Sequence, residues 1–371
     1  MREFGSEHSL MALPDGYFKS LEEFAKECTY LRSGREALLY VSLNCKPKGK
    51  IPIILFPAYC CWSMSAPFEK LGWQVIYYRL NENLSVNLNY LKELLKEMKP
   101  DAILTMNFYG IASTDKTIAI VKKIYPKCVA IEDFSHCTFS IKGIFNKEVD
   151  YYVSSIRKSI GICDGAVVLS RSKMDKNFIN PADSYFCNVR YEAQLEKSRY
   201  TFTKNQENKK AFINNFYKGE DILNHFDKVH AISKIGKKML KAVNGEEISF
   251  TRRENFGHLM KKLSGKVNLI QGVEKASQGV PFSMPVLVED RDGVQKKLAQ
   301  GGVYASVLWP IADEARRICP VSAYVADHML SIPVDQRYDY DDIEEIGNLV
   351  ILLADEKTSC FGSECTPSAC N

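Results

Sequence analysis

Hydrophobic and polar positions form a repeating pattern along the first half of the chain. Short apolar runs alternate with longer amphipathic stretches, and residues 89–99 and 116–124 have helical periodicity. This alternation is typical of βαβ units that build a mostly parallel sheet. It predicts strands at 51–56, 74–78, 102–106, 129–132, 151–155 and 166–169.

The pattern changes after about residue 190. Residues 190–245 are helical in periodicity and rich in Lys and Asn, and a second mixed region begins near Gly279, with an apolar run at 283–287 and a final helix near 341–354. A large α/β domain followed by a smaller α+β domain accounts for this order. Residues 1–11 carry no periodic pattern. The predicted divisions are an N-terminal arm at 1–30, a large domain at 31–240, a small domain at 241–355 and a tail at 356–371.

Composition supports a large buried core and excludes some partners. Of the 371 residues, 46% are hydrophobic and 25% are charged. The formal charge of +4 is too small and too evenly spread for a nucleic-acid-binding surface. No apolar run has membrane-spanning length, and no secretory signal pattern is visible. We expect a cytoplasmic protein that binds neither nucleic acid nor a membrane.

The 12 cysteines do not form a recognisable framework. Most lie singly in apolar runs, where a reduced thiol behaves as a small hydrophobic side chain. The adjacent Cys60 and Cys61 cannot form an ordinary disulfide with each other, and no CxxC spacing indicates a metal site. We therefore expect reduced thiols and no metal. Cys360, Cys365 and Cys370 recur every five residues in the tail and receive no predicted role.

Two segments have features of a site for a phosphorylated ring. Residues 33–35 (Ser-Gly-Arg) precede an apolar helical run, and the free N–H groups of a helix start beside a glycine can bind phosphate. An ordinary helix cap is the alternative. Tyr59 and Trp62 follow the predicted strand 51–56, where either ring can stack on a planar ligand. Core packing is the alternative for these two aromatic side chains.

Two further segments supply titratable groups. Asp133 comes at the end of an apolar run, and ligands of open parallel sheets bind outside the carboxyl ends of the strands. Lys158 follows another predicted strand in a turn that contains Ser and Gly, where a desolvated amine can form a Schiff base. A helix-capping Asp and a solvated Lys are the alternatives.

The order of these features indicates a known kind of cofactor site. A phosphate-binding turn, a stacking aromatic ring, a strand-end Asp and a Lys twenty-five residues later follow one another in pyridoxal-phosphate (PLP) enzymes of the aspartate-aminotransferase type. Lys holds the cofactor aldehyde, Asp keeps the pyridine nitrogen protonated, and hydroxyl and amide groups hold the phosphate. The sequence therefore predicts PLP as cofactor and an α/β protein of PLP-dependent transferase fold type I.

Over about residues 30–355, the chain resembles the DegT/StrS group of PLP-dependent sugar aminotransferases. The matching segments are SGREAL, FPAYCCW, PDAILTMNFYG, IEDFSHC, SSIRKSIGICDGAVV and SIPVDQRY. The resemblance implies catalytic roles for Lys158, Asp133 and His136, and homodimers with shared active sites. It implies cofactor binding by Ser33, Gly34, Arg35, Tyr59, Trp62, Asn107, Asp133, Ser154, Ser155 and Lys158. It also implies that Asn188, Arg190 and Trp309 lie at the substrate or at the dimer partner.

The chain departs from the pattern of the family at several positions. Arg35 stands where a Thr is common, Phe134 and Ser135 replace small residues, and Ala166 replaces the second glycine of a pair. The spacing around Lys158 is also compressed. The resemblance is therefore to a divergent member, and its cofactor chemistry transfers better than its substrate.

We expect an aminotransferase that moves an amino group from a donor such as glutamate to the keto group of a sugar or nucleotide-linked sugar. One alternative is a PLP-dependent amino-acid lyase or desulfurase, which needs an arginine for the α-carboxylate; Arg316, Arg317 and Arg337 are the candidates. The other is a noncatalytic protein with the same fold. The presence of both Asp133 and Lys158 speaks against the noncatalytic protein.

Overall fold

The structure is a computed structural model, and it describes residues 2–10, 27–111, 113–140 and 145–354, apart from the side chains of 277 and 278. In chain order, the described strands are β1 (Phe4–Gly5), β2 (Glu27–Leu31), β3 (Ile53–Pro57), β4 (Gln74–Tyr78), β5 (Ala102–Met106), β6 (Val129–Asp133), β7 (Tyr151–Ser154), β8 (Ala166–Ser170), β9 (Ile179–Asn180), β10 (Val229–His230), β11 (Asn268–Leu269), β12 (Met284–Leu287), β13 (Val303–Tyr304) and β14 (Met329–Ile332). The described helices are α1 (Gly34–Cys45), α2 (Trp62–Lys70), α3 (Leu88–Met98), α4 (Asp115–Ile124), α5 (Ser184–Thr203), α6 (Gln206–Asn224), α7 (Lys234–Lys241), α8 (Gly245–Leu263), α9 (Arg291–Gln300), α10 (Asp313–Ile318), α11 (Pro320–His328) and α12 (Tyr340–Ala354).

A seven-stranded sheet with the order β2-β8-β7-β6-β5-β3-β4 forms the centre of the large domain. Strands β3 to β7 run parallel, and β8 is antiparallel to both of its neighbours. The six strands predicted from the apolar runs are all present, with ends that differ by at most two residues. The prediction of a large, mostly parallel sheet is confirmed.

Apolar spacing explains the helices that pack on this sheet. In α3, the apolar side chains Leu91, Leu94 and Leu95 are buried on one face, and the Asn87 side chain caps the helix by accepting the Tyr90 N–H at 3.1 Å. Spacings of three and four residues place side chains on the same helical face. This agrees with the helix predicted over 89–99.

The edge strand β2 falls within the segment predicted as an arm, but it pairs with β8 along its whole length. Its sequence, ECTYL, has no continuous apolar run, and only Thr29 and Leu31 are buried. An edge strand of mixed sequence gives a weaker signal than a central strand that is buried on both faces.

A smaller antiparallel sheet with the order β11-β12-β14 lies in the C-terminal region. Strand β12 and helix α12 correspond to the predicted elements at 283–287 and 341–354, whereas β14 was not predicted. One hydrophobic cluster contains residues of both sheets, including Ile103 and Met284.

No helix in the described part of the chain has the length and apolar character that a membrane span requires. The tail cysteines lie outside the described residues.

Candidate active site

Parallel pairing brings the carboxyl ends of three strands together. Met106 of β5 is paired with Asp133 of β6, which is paired in turn with Val153 of β7. The residues at and just after these strand ends therefore lie side by side at one edge of the sheet. Among them are Asp133 and two further predicted site residues, Asn107 and Ser154.

Asp133 is a buried carboxylate that lies within electrostatic range of a lysine. Its Oδ1 accepts the Ser135 N–H at 2.8 Å. Burial raises the pKa of Asp133 above its ordinary value, and the positive charge of Lys158 opposes this shift. The structure thus places the charge of Lys158 close enough to act on Asp133, as the site prediction requires.

His136 is buried in the turn that follows β6, and its ring stacks on two aromatic side chains. The ring centroid lies 4.6 Å from that of Phe282, with 2° between the planes, and 5.4 Å from that of Trp309. Burial, assisted by the charge of Lys158, holds the pKa of His136 well below its usual range. Because Nδ1 accepts the Tyr109 N–H at 3.4 Å, the neutral ring carries its proton on Nε2. His136 can therefore donate a hydrogen bond from Nε2.

The start of α1 forms a close contact with the segment after β7. Ser33 is the N-cap of this helix, and its Oγ accepts the Glu36 N–H at 3.3 Å. A Cβ atom added to Gly34 would lie 2.8 Å from the Cβ of Ser155. Only a glycine allows the helix start to approach Ser155 this closely, and the first turn has free N–H groups suited to a phosphate.

The two candidate serines after β7 have different surroundings. The Ser154 Oγ lies 2.7 Å from the Thr138 Oγ1, in a buried hydroxyl pair. The Ser155 N–H donates to the Ser135 Oγ at 2.9 Å, and its side chain faces Gly34. Ser155 is therefore the serine that lies at the start of α1.

Arg35 points away from this contact. Its guanidinium donates to the Leu223 carbonyl and to the Asn224 Oδ1, at 2.9 Å for the latter, at the end of α6. It also lies over the rings of Trp62, at 5.5 Å, and Phe226, at 5.3 Å. These contacts place the predicted cofactor ligands Arg35 and Trp62 beside each other, with Arg35 bound to the end of α6.

Tyr59 and Trp62 have contrasting surroundings. Tyr59 is buried, with its ring centroid 5.0 Å from that of Trp309 and 5.8 Å from that of Phe108. Tyr59 therefore belongs to the same aromatic cluster as His136. Trp62, by contrast, is 56% exposed. Of the two predicted stacking residues, Tyr59 is the one that shares this cluster with His136.

Asn107 carries a buried polar atom without a partner. Its Oδ1 has no hydrogen bond within the described residues, while its backbone carbonyl accepts the Cys137 thiol at 3.4 Å. A buried amide oxygen left without a donor is costly, and a bound polar group would remove that cost. Together with the glycine contact at Ser155, this unpartnered oxygen fits a site that holds a polar cofactor.

Lys158 lies in a short turn, Ile156–Lys158, and its exposed side chain lines a cavity of about 780 Å³. The small domain holds the following residue, because the Ser159 carbonyl accepts Arg252 Nη2 at 3.1 Å and Gln336 Nε2 at 3.0 Å. Burial lowers the pKa of Arg252 to about 10, so its guanidinium stays charged at neutral pH. The turn that carries Lys158 is thus fixed by both domains.

The residues predicted at the substrate or at the dimer partner have different surroundings. Trp309 is buried against His136, whereas Asn188 is exposed on α5. Arg190 is fully buried on the same helix and forms ion pairs with Glu7, at 2.8 Å, and Glu220, at 3.4 Å. Arg190 is thus neutralised within its own chain.

The arginines of the lyase alternative also have partners. Arg316 forms a two-point ion pair with Asp327, with both distances 2.8 Å, at the surface. Arg337 lines the Lys158 cavity, but its guanidinium pairs with Asp335 at 2.7 Å. The third candidate, Arg317, is exposed. None of these three guanidinium groups stands unpaired in the cavity.

A separate buried cluster contains two thiols and a carboxylate. Asp164 accepts the thiols of Cys163 and Cys187, each at 3.4 Å, together with the N–H and hydroxyl of Ser233 at 2.7 and 2.8 Å. These three acidic and thiol side chains have a spacing that a metal ion could use. The four donors already satisfy the carboxylate, and the cluster lies apart from the residues described above.

No local pattern in the sequence indicates that residues 2–10 lie near the candidate site. In the structure they line the Lys158 cavity, together with Phe282 of the small domain. Their contacts are with residues about 160 to 340 positions away, so no local periodicity could reveal them. The nearest signal in the sequence is Gly161, three positions after Lys158, where a backbone can approach closely.

No family model matches the sequence, and no curated protein matches it. Several solved structures have a similar fold. PseC of Helicobacter pylori, an aminotransferase involved in the biosynthesis of pseudoaminic acid, is 13% identical with a TM-score of 0.66, over 95% of this chain and 100% of that one. A DegT DnrJ EryC1 StrS aminotransferase from Brucella abortus is 13% identical with a TM-score of 0.64, over 91% and 88%.

A third solved structure belongs to the same group. The sugar aminotransferase CalS13 from Micromonospora echinospora is 16% identical with a TM-score of 0.61, over 92% of this chain and 93% of that one. At identities this low, the TM-scores show a common fold. The chain has the PLP-dependent transferase fold, type I, as found in DegT/StrS sugar aminotransferases.

Proposed function

We propose that this protein is a PLP-dependent aminotransferase that transfers an amino group from an amino donor to the keto group of a sugar. The observation that carries the proposal is that Asp133 and His136 lie within electrostatic range of Lys158. The two buried groups lie at the carboxyl end of β6, and the charge of Lys158 acts on both. The solved structures with this fold include sugar aminotransferases, and one of them is titled a PLP-form.

The residues present fit the cofactor. Gly34 and Ser155, with the free N–H groups of α1, would hold the phosphate. The Asp133 carboxylate would hold the pyridine nitrogen, and the Nε2 proton of His136 would be donated to a polar group of the ring. When bound, PLP supplies an electron sink for the bond broken at the donor's α-carbon.

Lys158 has two tasks in this proposal. Its amine would hold the cofactor through the aldehyde carbon. Nζ of Lys158 would then take a proton from the α-carbon of the donor and return this proton later in the amino transfer. The exposed position of Lys158 on the cavity wall leaves its amine free to move between these positions.

The charge of the cavity supports an anionic substrate. Its basic lining residues outnumber its acidic ones, which are Glu3, Glu7 and Asp335. The basic residues are Arg2, Arg157, Lys158, Lys197, Lys204, Lys209, Arg252 and Arg337. A positively charged cleft raises the local concentration of anions. Glutamate as the donor and a nucleotide-linked keto sugar as the acceptor both suit this charge.

The proposal includes a homodimer in the cytoplasm, with each site completed by the partner chain. Trp62 supports this part, because its ring is largely exposed beside Arg35 at the start of α1. Exposed aromatic rings of this kind are enriched at protein interfaces.

The direct test is to trap the lysine. Purified protein is incubated with PLP, reduced with borohydride and digested, and the labelled peptide is identified by mass spectrometry. We expect the pyridoxyl group on Lys158. Lys158→Ala should carry no label there and should lose about 10²- to 10⁴-fold in transfer rate, because it lacks the proton-transferring amine.

Lys173→Ala is the matched control, since Lys173 is an exposed lysine in a surface loop. It should keep both the label and the activity. A pyridoxyl group found on another lysine, or a Lys158→Ala variant that transfers amino groups at the normal rate, would refute the proposal.

A further inference from the structure

Residues 2–10, the N-terminal segment, are bound firmly to the small domain. Strand β1 pairs in parallel with β13, and the Gly5 N–H donates to the Tyr338 hydroxyl at 2.5 Å. The ring of Phe4 is fully buried, with its centroid 5.6 Å from that of Tyr338. Arg2 adds an ion pair with Asp342 at 2.5 Å.

The same segment is also bound to helices α5 and α6. The Glu3 carboxylate accepts the Lys209 Nζ at 2.7 Å and the Tyr200 hydroxyl at 2.9 Å. Glu7 pairs with Arg190 of α5. The segment therefore crosses from the small domain to α5 and α6, and ion pairs hold both of its sides.

Beyond these attachments the segment packs directly on the turn that follows Lys158. A Cβ atom added to Gly161 would lie 2.2 Å from the Ser9 carbonyl oxygen. This contact exists only because Gly161 has no side chain. Residues 5–9 line the same cavity as Lys158, so the segment forms one side of the space where a substrate meets the lysine.

His8 is the polar side chain that the segment contributes to this cavity. It is 6% exposed, and its Nδ1 has no hydrogen-bond partner in the described part of the chain. Burial and the nearby cations Arg337, Arg252 and Lys197 outweigh the Asp335 carboxylate and hold the pKa of His8 well below its usual value. A neutral imidazole offers one N–H donor and one acceptor, which is the pattern that a hydroxyl group complements.

We propose that the N-terminal segment is a wall of the substrate site, and that His8 is a specificity-determining residue that hydrogen-bonds a hydroxyl of the sugar acceptor. A bound hydroxyl would satisfy the ring nitrogen that the protein leaves unpartnered. This inference rests on the proposed function, because it identifies the acceptor as the ligand of this wall.

His8→Leu tests the hydrogen bond, and His8→Asn keeps a polar side chain at the same place. With nucleotide-linked keto sugars as acceptors, we expect His8→Leu to raise the acceptor KM about tenfold and His8→Asn to restore much of it. The half-reaction with glutamate, followed by the change in cofactor absorbance, should keep its normal rate in both variants.

Gly161→Ala tests the wall, because the new Cβ must displace Ser9. It should also raise the acceptor KM. Gly257→Ala is the matched control, since a Cβ at this helical position meets no atom within 4 Å. It should behave as the wild type.

Amide hydrogen exchange gives a readout that does not depend on turnover. Adding the nucleotide-linked keto sugar should slow exchange at residues 2–10 of the wild type and have a smaller effect in His8→Leu. Three results together would overturn this inference alone. The wild type transfers amino groups, His8→Leu has the same acceptor KM as the wild type, and the keto sugar does not protect residues 2–10 from exchange. Wild-type protein that takes no pyridoxyl label on Lys158 would instead overturn the proposed function.

Discussion

Burial acts in opposite directions on the two titratable side chains beside Lys158. It raises the pKa of Asp133 and lowers that of His136, and in both cases it disfavours the charged form. The positive charge of Lys158 opposes the shift of the carboxylate and adds to that of the imidazole. Asp133 is thus the group that can carry a negative charge here, and His136 is a neutral donor.

Asp133→Asn is expected to separate the charge of this residue from its hydrogen bond. An Asn side chain can still accept the Ser135 N–H, so the turn after β6 should keep its shape, but it cannot stabilise a protonated pyridine nitrogen. We expect the glutamate half-reaction to slow by about 10²- to 10⁴-fold, as measured by stopped-flow absorbance. Asp175→Asn is the control, because Asp175 accepts the Asn177 N–H in the same way at an exposed site. Equal rates in Asp133→Asn and the wild type would contradict this role.

Asp133 and Lys158 were predictable from the sequence because each follows a strand with a clear apolar pattern. The direction of Arg35 was not, since its guanidinium binds Leu223 and Asn224, which are about 190 positions away. Residues near in sequence determine the backbone position of a long side chain such as Arg35. Residues distant in sequence determine where its terminal group lies.

At the scale of elements, strand β6 carries a second buried carboxyl group. The Oε2 of Glu132 accepts the Thr114 hydroxyl at 2.8 Å, and its Oε1 has no partner within the described residues. Burial raises the pKa of Glu132 to about 8. The side chain is therefore mostly protonated at neutral pH, when the unfolded chain would have it ionised.

Glu132→Gln should make the protein's stability less dependent on pH. A raised carboxyl pKa means that the folded state holds a proton which the unfolded state loses, so the free energy of unfolding falls as pH rises from about 4.5 to about 8. Gln cannot ionise. Relative to the wild type, the variant should therefore gain stability over this range, by about 1–3 kcal/mol at pH 8, in urea unfolding experiments. Glu97→Gln, at an exposed glutamate, serves as the control. A stability difference between Glu132→Gln and the wild type that is the same at pH 5 and at pH 8 would contradict the titration of a buried Glu132.

Strands β2 and β14 escaped prediction for local reasons. Strand β14 follows α11 without an intervening residue, so no Gly, Pro or Asn separates its pattern from that of the helix. Strand β2 alternates between buried and half-buried side chains at the sheet edge. The central strands were predictable because both of their faces are covered, which selects uninterrupted apolar runs.

At the scale of the whole molecule, the change in periodicity predicts a large domain followed by a small one, and the seven-stranded and three-stranded sheets follow each other in that order along the chain. The path of the N-terminal segment was not, because the pairing of Phe4 with Val303 depends on the tertiary fold. The sequence therefore indicated the candidate residues at the strand ends, whereas the position of the N-terminal segment depended on contacts between distant parts of the chain.

The proposed homodimer predicts a measurable mass and a residue on which that mass depends. Sedimentation equilibrium should give a species of twice the 42.1 kDa chain mass. Trp62→Ala should shift the protein toward monomer, because it removes an exposed ring from the proposed interface. Phe202→Ala, which removes another exposed ring at the end of α5, should leave the mass unchanged. A wild-type protein that stays monomeric at micromolar concentration would contradict the dimer.

The two hydrogen bonds that the small domain donates to the Ser159 carbonyl have a thermodynamic consequence. Arg252 and Gln336 cannot change position without changing the setting of the turn that bears Lys158. A ligand that binds one arrangement of the two domains more tightly therefore favours one position of Lys158. By linkage, the position of Lys158 changes the affinity for that ligand by the same factor. In the proposed function, substrate binding and the position of the Lys158 amine are therefore thermodynamically linked.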